Sequence, residues 1–225
     1  MKKLIVSGIA AVLLAGCGQS AMLPTPSLDG MSSFEAMGTD DVVAFASKAT
    51  MRKQMKAALE ADTLELMAYA DRDPKDEKLS FAELQAKLPG FSRSAFRSKD
   101  LNHDDALVLS EIVTEASVNV MTERVIRIRS GCVKALDKDR DRKLTKRDLL
   151  ESKQFQFAPQ PWSAYAKLEL DKLREKVLKD AFADKAVDED QDGKLDYDEL
   201  YAFFRFAIAH GATPLGLAKP QSPIL

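Results

Sequence analysis

Cysteine and histidine are scarce: the 225 residues contain two of each, and a single tryptophan. Two cysteines are too few for a disulfide framework, and two histidines leave little material for zinc sites or histidine-based catalysis. Nor does one sign of charge prevail. Lys plus Arg number 33 against 35 Asp plus Glu, a formal charge of −2. That balance excludes the basic excess of a nucleic-acid binder and the bias of a uniformly acidic chain. The apolar run Leu4–Leu14 is too short to span a bilayer as a folded helix. What the chain does have is 45% hydrophobic residues, too many for wholesale disorder and enough, at this length, for a real core. Its function must therefore be read from where the charges sit.

Met1-Lys2-Lys3 followed by the apolar run has the form of a secretory signal. The run ends at Leu14-Ala15-Gly16-Cys17, which resembles the lipobox of bacterial lipoproteins. The resemblance implies cleavage of a signal peptide 1–16 before Cys17 and a diacylglyceryl group on its sulfur. It also implies acylation of the new amine. Several acyl chains together make a stable anchor. Gly18, in place of an aspartate there, favours the outer over the inner membrane, facing periplasm or exterior. Residues 17–39, with Pro24, Pro26, Gly30 and Gly38, read as a flexible tether.

From Asp40 onward the pattern is helical, with Val42, Phe45, Ala46, Ala49, Met55, Ala58 and Leu59 at three- and four-residue steps. Within it a loop pattern repeats. In Asp188-Glu189-Asp190-Gln191-Asp192-Gly193-Lys194-Leu195-Asp196-Tyr197-Asp198-Glu199, acids stand at positions 1, 3, 5 and 12, glycine at 6 and an aliphatic residue at 8. The pattern resembles an EF-hand calcium loop. Its chemistry is specific: calcium takes six to eight hard oxygen ligands at roughly 2.4 Å. Asp188, Asp190 and Asp192 supply carboxylates, the Lys194 carbonyl another oxygen, and Glu199 closes the shell with two; Gly193 permits the turn.

Three looser copies follow the same template. The 100–111 loop offers Asp100, Asn102, Asp104, the Ala106 carbonyl and Glu111, with Asp105 where glycine is expected. The 137–148 loop offers Asp137, Asp139, Asp141, the Lys143 carbonyl and Asp148, with Arg142 at position 6. Its shorter last carboxylate reaches less far, which suits magnesium better than a bidentate glutamate would. The 71–83 loop has Asp71, Asp73, Asp76 and Glu83 but carries one inserted residue and Pro74; it is expected to be a metal-free structural partner. Net loop charges are −6 for 188–199, −4 for 100–111, −2 for 71–83 and +2 for 137–148. Charge attracts or repels the cation, while the inserted residue and Pro74 put the 71–83 loop last despite its charge. The expected order of affinity runs from the fourth loop to the second, the third and then the first.

The expected fold is all-α: two pairs of EF-hand helix–loop–helix units, four loops in all, some degenerate. The first pair, within 40–120, joins across Leu79 and Leu107; the second, within 121–211, joins across Leu144 and Leu195. The pattern from Ser110 to Arg129 reads as one helix interrupted near Ser130-Gly131. Phe157–Trp162 reads as a loop, Ser163 as the N-cap of a helix running to about Val187, and 212–225 as a frayed tail or one whose Leu215 and Leu217 plug a hydrophobic groove. Cys132, on an apolar helix position, reads as a buried free thiol. His103 and His210 have no neighbours for a triad, so no catalytic residue is assigned. The expectation is a membrane-anchored calcium-binding sensor with an apolar groove for a protein partner and no nucleic acid. A calcium-stabilised scaffold is the alternative, with an enzyme using structural calcium ranked below both.

Overall fold

The computed structural model describes residues 39–72 and 75–216, the side chains of 39–46 excepted. The expected signal peptide, Cys17, the expected tether up to residue 38, Asp73, Pro74 and the residues from 217 onward lie outside the described residues. Eight helices and six short strands are present among the described ones. No helix among them is long and apolar enough to cross a membrane.

Helix α1 (Thr39–Ala70) runs for 32 residues and belongs to both of the molecule's hydrophobic clusters. Its last turns place Leu66, Met67 and Ala70 in a small core. The small core also takes β1 (Leu79–Ser80), α2 (Phe81–Lys87), α3 (Arg93–Lys99), β2 (Ala106–Leu107) and α4 (Leu109–Ile112). Earlier turns place Met55, Ala58 and Leu59 in a larger core. That core is built from α5 (Glu115–Leu136), β3 (Leu144–Thr145), α6 (Lys146–Glu151), β4 (Phe155–Pro159), α7 (Leu170–Ala181), β5 (Lys194–Leu195), α8 (Tyr197–Ala209) and β6 (Ala212–Gly216). Tyr201 ties the two ends of this core together, its hydroxyl donating to the Met51 carbonyl at 2.7 Å.

Two miniature antiparallel sheets pair the loops: Leu79 stands opposite Leu107 and Leu144 opposite Leu195, all four buried. Helices start where local caps dictate. Ser80 accepts from the Glu83 N–H, Thr145 from that of Asp148 and Asp196 from that of Glu199. The acid returns the bond to the cap backbone in each case, forming a capping box.

The fold is mainly helical but not all-α. Strand β4 pairs antiparallel with β6 from Phe155↔Gly216 to Pro159↔Ala212, where a loop and a frayed tail were expected. Alternation explains the strand: Phe155 and Phe157 face the core and Gln156 faces solvent. Both phenylalanines meet Phe203 edge-on, and Phe155 meets Phe204 in the same way. In a two-stranded ribbon each strand is an edge, so Pro159 and Pro214 interrupt no continuing ladder. Ser163 is not an N-cap: its Oγ donates to the Gln160 carbonyl and accepts from Tyr165 N. Turns follow, and α7 begins only at Leu170. The expected break at Ser130-Gly131 is likewise displaced. It falls at Val113-Thr114, where Thr114 caps α5 through Ser117 N. Gly131 lies inside α5, where a Cβ would stand 3.1 Å from Gln154 Oε1.

Candidate metal centres

The four loops share one hydrogen-bond scheme, written by short polar side chains onto their own backbone. The position-1 carboxylate accepts from the position-6 N–H in each: Asp71 from Glu77 at 2.9 Å, Asp100 from Asp105 at 3.1 Å, Asp137 from Arg142 at 3.1 Å and Asp188 from Gly193 at 3.2 Å. The position-5 carboxylate accepts from the position-7 N–H: Asp76 from Lys78, Asp104 from Ala106, Asp141 from Lys143 and Asp192 from Lys194. Position 12 reaches back across three loops, with Glu83 accepting from Arg72 N, Glu111 from Leu101 N and Glu199 from Glu189 N. Asp148, one methylene shorter, takes the Thr145 N–H and hydroxyl at the helix end of its loop.

The turn these bonds enforce requires left-handed backbone. Position 6 has φ of 62° at Glu77, 60° at Asp105, 63° at Arg142 and 77° at Gly193. Only the last is a glycine, so three loops hold a side chain in a conformation that costs L-residues roughly 1–2 kcal/mol. His103, Arg140 and Gln191 share the left-handed region at position 4. His103 therefore has a backbone role at its loop position.

Helix capping alone accounts for an acid at position 12, because that residue is also N3 of the following helix. It does not account for position 1. Asp188 is 4% exposed and Asp71 6% exposed, yet the Oδ1 of each is buried without a hydrogen-bond partner. Asp137 Oδ1 is in the same condition. A buried carboxylate oxygen left unpaired is costly, and a cation beside it offsets the cost. Around Asp188 the carboxylates of Asp190 and Asp192 bring oxygens within 4.8 Å of one another, and Asp137, Asp139 and Asp141 do the same. Both triads are able to hold a metal ion, and the hard oxygen donor set suits calcium or magnesium.

The 100–111 loop brings Asp100, Asn102, Asp104 and Glu111 together by the same bonds. Both Asp100 oxygens are engaged there, Oδ1 with Asp104 N at 3.2 Å. The 71–83 loop is expected to be metal-free, yet its Asp71 carries the same orphaned oxygen as Asp188. The signal available was Asp76-Glu77-Lys78-Leu79, which keeps the loop's second half in register with Glu83.

Elsewhere, burial pushes the Cys132 thiol up to about 12, leaving a protonated, inert sulfur. Asp62, 2% exposed on α1, was not singled out by the sequence. Burial pushes its carboxyl up to about 7, opposed by the hydrogen bond from Trp162 Nε1, and reinforced by Glu65. Comparison with family models, with characterised proteins and with solved structures gave no match.

Proposed function

We propose that the protein is an EF-hand type calcium-binding protein, with two pairs of helix–loop–helix units carried on a lipid anchor at Cys17. Its place is the bacterial cell envelope. The observation that carries the reading is the buried, unpartnered Asp188 Oδ1 at the centre of the Asp188/Asp190/Asp192 triad. The 188–199 loop, at −6 with Glu199 as its last ligand, is the leading calcium site, and the 100–111 loop is the second. The 137–148 loop is weaker and suits magnesium because Asp148 is short. Asp71 Oδ1 raises the 71–83 loop from spacer to fourth candidate.

The protein acts as a sensor rather than an enzyme in this reading, and no residue is assigned to catalysis. An open groove of about 740 Å³ borders the first loop pair, lined by apolar residues such as Leu64, Met67, Leu109 and Val113 and by charged ones such as Lys56, Glu60 and Lys75. Such a surface suits an apolar protein segment. Calorimetric titration with calcium, on wild type and on Asp188→Ala and Asp100→Ala variants, tests the metal reading. Each variant is expected to lose one binding event; a wild type silent at millimolar calcium overturns it. A hydrophobic dye then tests the sensor role. Unchanged dye binding with a raised melting temperature would reduce the protein to a calcium-stabilised scaffold.

A further inference from the structure

The two loops of the second pair each extend a lysine into the other's acidic cluster. Lys143, at position 7 of the 137–148 loop, places Nζ 3.1 Å from Asp190 Oδ2 and in a short contact with Asp192 Oδ2. Lys194, at position 7 of the 188–199 loop, places Nζ 2.9 Å from Asp141 Oδ2. The strand pairing favours this crossing. With Leu144 opposite Leu195 and both buried, the residue before each leucine points to the other face of the sheet, over the loops.

We propose that Lys143 and Lys194 are internal counter-ions, so that a divalent cation enters either loop of this pair only by displacing the ammonium of the other. The proposal rests on the calcium reading and adds how filling is regulated. Asp190 and Asp192 are positions 3 and 5 of the loop whose Asp188 holds a buried, unpartnered oxygen. The ammonium thus sits on the two outer ligands, while the innermost oxygen stays free of it. An ammonium satisfies exposed carboxylates as a point charge but cannot supply the six- to eight-fold shell that calcium completes around an inner oxygen. Displacement is therefore accessible. The barrier is modest, since ion pairs at partly exposed positions are worth little individually. No covalent step is involved, and the released lysine returns to solvent.

Calcium titration of Lys143→Gln against Lys146→Gln tests this, because both remove one positive charge from the same loop and only Lys143 reaches Asp190 and Asp192. The expected result is that Lys143→Gln tightens calcium binding at the 188–199 loop by roughly threefold to tenfold, with Lys146→Gln near wild type. In parallel, acetylation of the wild-type protein mapped by mass spectrometry should show Lys143 and Lys194 labelling faster once calcium is added, with Lys146 unchanged. Calcium binding by wild type with equal effects of both variants, and no change in Lys143 labelling, overturns the exchange and leaves the calcium reading standing. Absence of calcium binding by wild type and Lys143→Gln alike overturns both.

Discussion

The two loop pairs have the same backbone scheme and different electrostatic surroundings. In the second pair lysines cross both ways, from Lys143 to Asp190 and Asp192 and from Lys194 to Asp141. In the first pair one crosses: Lys78 reaches Asp104 at 3.4 Å, while the matching position of the partner loop is Ala106. The cores differ as well. The first is closed by Phe81 meeting Phe96 edge-on, and the second by a cluster of Phe155, Phe157, Phe203 and Phe204. The difference teaches that loop geometry is local, set by side chains bonding their own backbone. Under the proposed exchange, what the partner strand presents sets which loop favours a cation.

The sharpest way to break this comparison is to damage one core at a time. Phe204→Ala and Phe96→Ala should each cost about 3–5 kcal/mol, measured by urea denaturation. Native-state hydrogen exchange should confine the loss of protection in Phe96→Ala to residues 66–112. Uniform loss throughout would mean that α1 welds the halves into one cooperative unit.

A smaller effect is expected at the junction, where Asp62 of α1 meets Trp162. Its carboxyl is raised to about 7 in the folded chain against roughly 3.9 unfolded, so the folded state holds the proton more tightly. Its contribution is fully present below pH ~4 and is lost as pH rises through ~7. Asp62→Asn, which keeps an oxygen for Trp162, should match wild type at low pH. At pH 8 it should be more stable by up to about 4 kcal/mol, read from denaturation curves at both pH values.

Arg142→Gly sharpens the contrast between the second pair's two loops. Glycine relieves the left-handed backbone at φ 63° and should raise stability by about 1 kcal/mol in chelator. It also removes one of the loop's six basic residues, so cation affinity at 137–148 should rise in the same protein. The smallest effect is expected at Lys48, paired with Glu123 at 2.6 Å across α1 and α5 with both side chains near half-exposed. Lys48→Ala should cost less than about 0.5 kcal/mol, and that little should fade in salt.

The loops were legible because alternate acids and one inward aliphatic residue encode them within twelve positions. The register of Leu79 with Leu107 and Leu144 with Leu195 followed from those positions. The ribbon of β4 and β6 is not legible in the sequence: two five-residue strands that each contain a proline give little period-2 signal, and they lie more than fifty positions apart. Gly131 reads as a breaker but lies inside α5, where it serves close packing on Gln154; the cap at Thr114 sets where the helix starts. Asp62 looked like one more charge on a long helix. Its burial comes from Trp162 and Gly211, a hundred or more residues on, and no local pattern announces them.

Helix α1 also bears on the order in which the chain can fold. Met55 and Leu59 share a core with Phe203, Phe204 and Ala212, and Tyr201 bonds Met51 across a separation of 150 residues. A chain delivered N-terminus first therefore presents one wall of its larger core early and finishes the opposite wall last. Closure over such sequence separations is slow compared with local helix formation. During that interval the small core, whose buried members all lie between residues 66 and 112 with Trp162 packing on it later, can assemble first and hold the end of α1 in place. The larger core then has a docked helix to condense on when its final strand arrives.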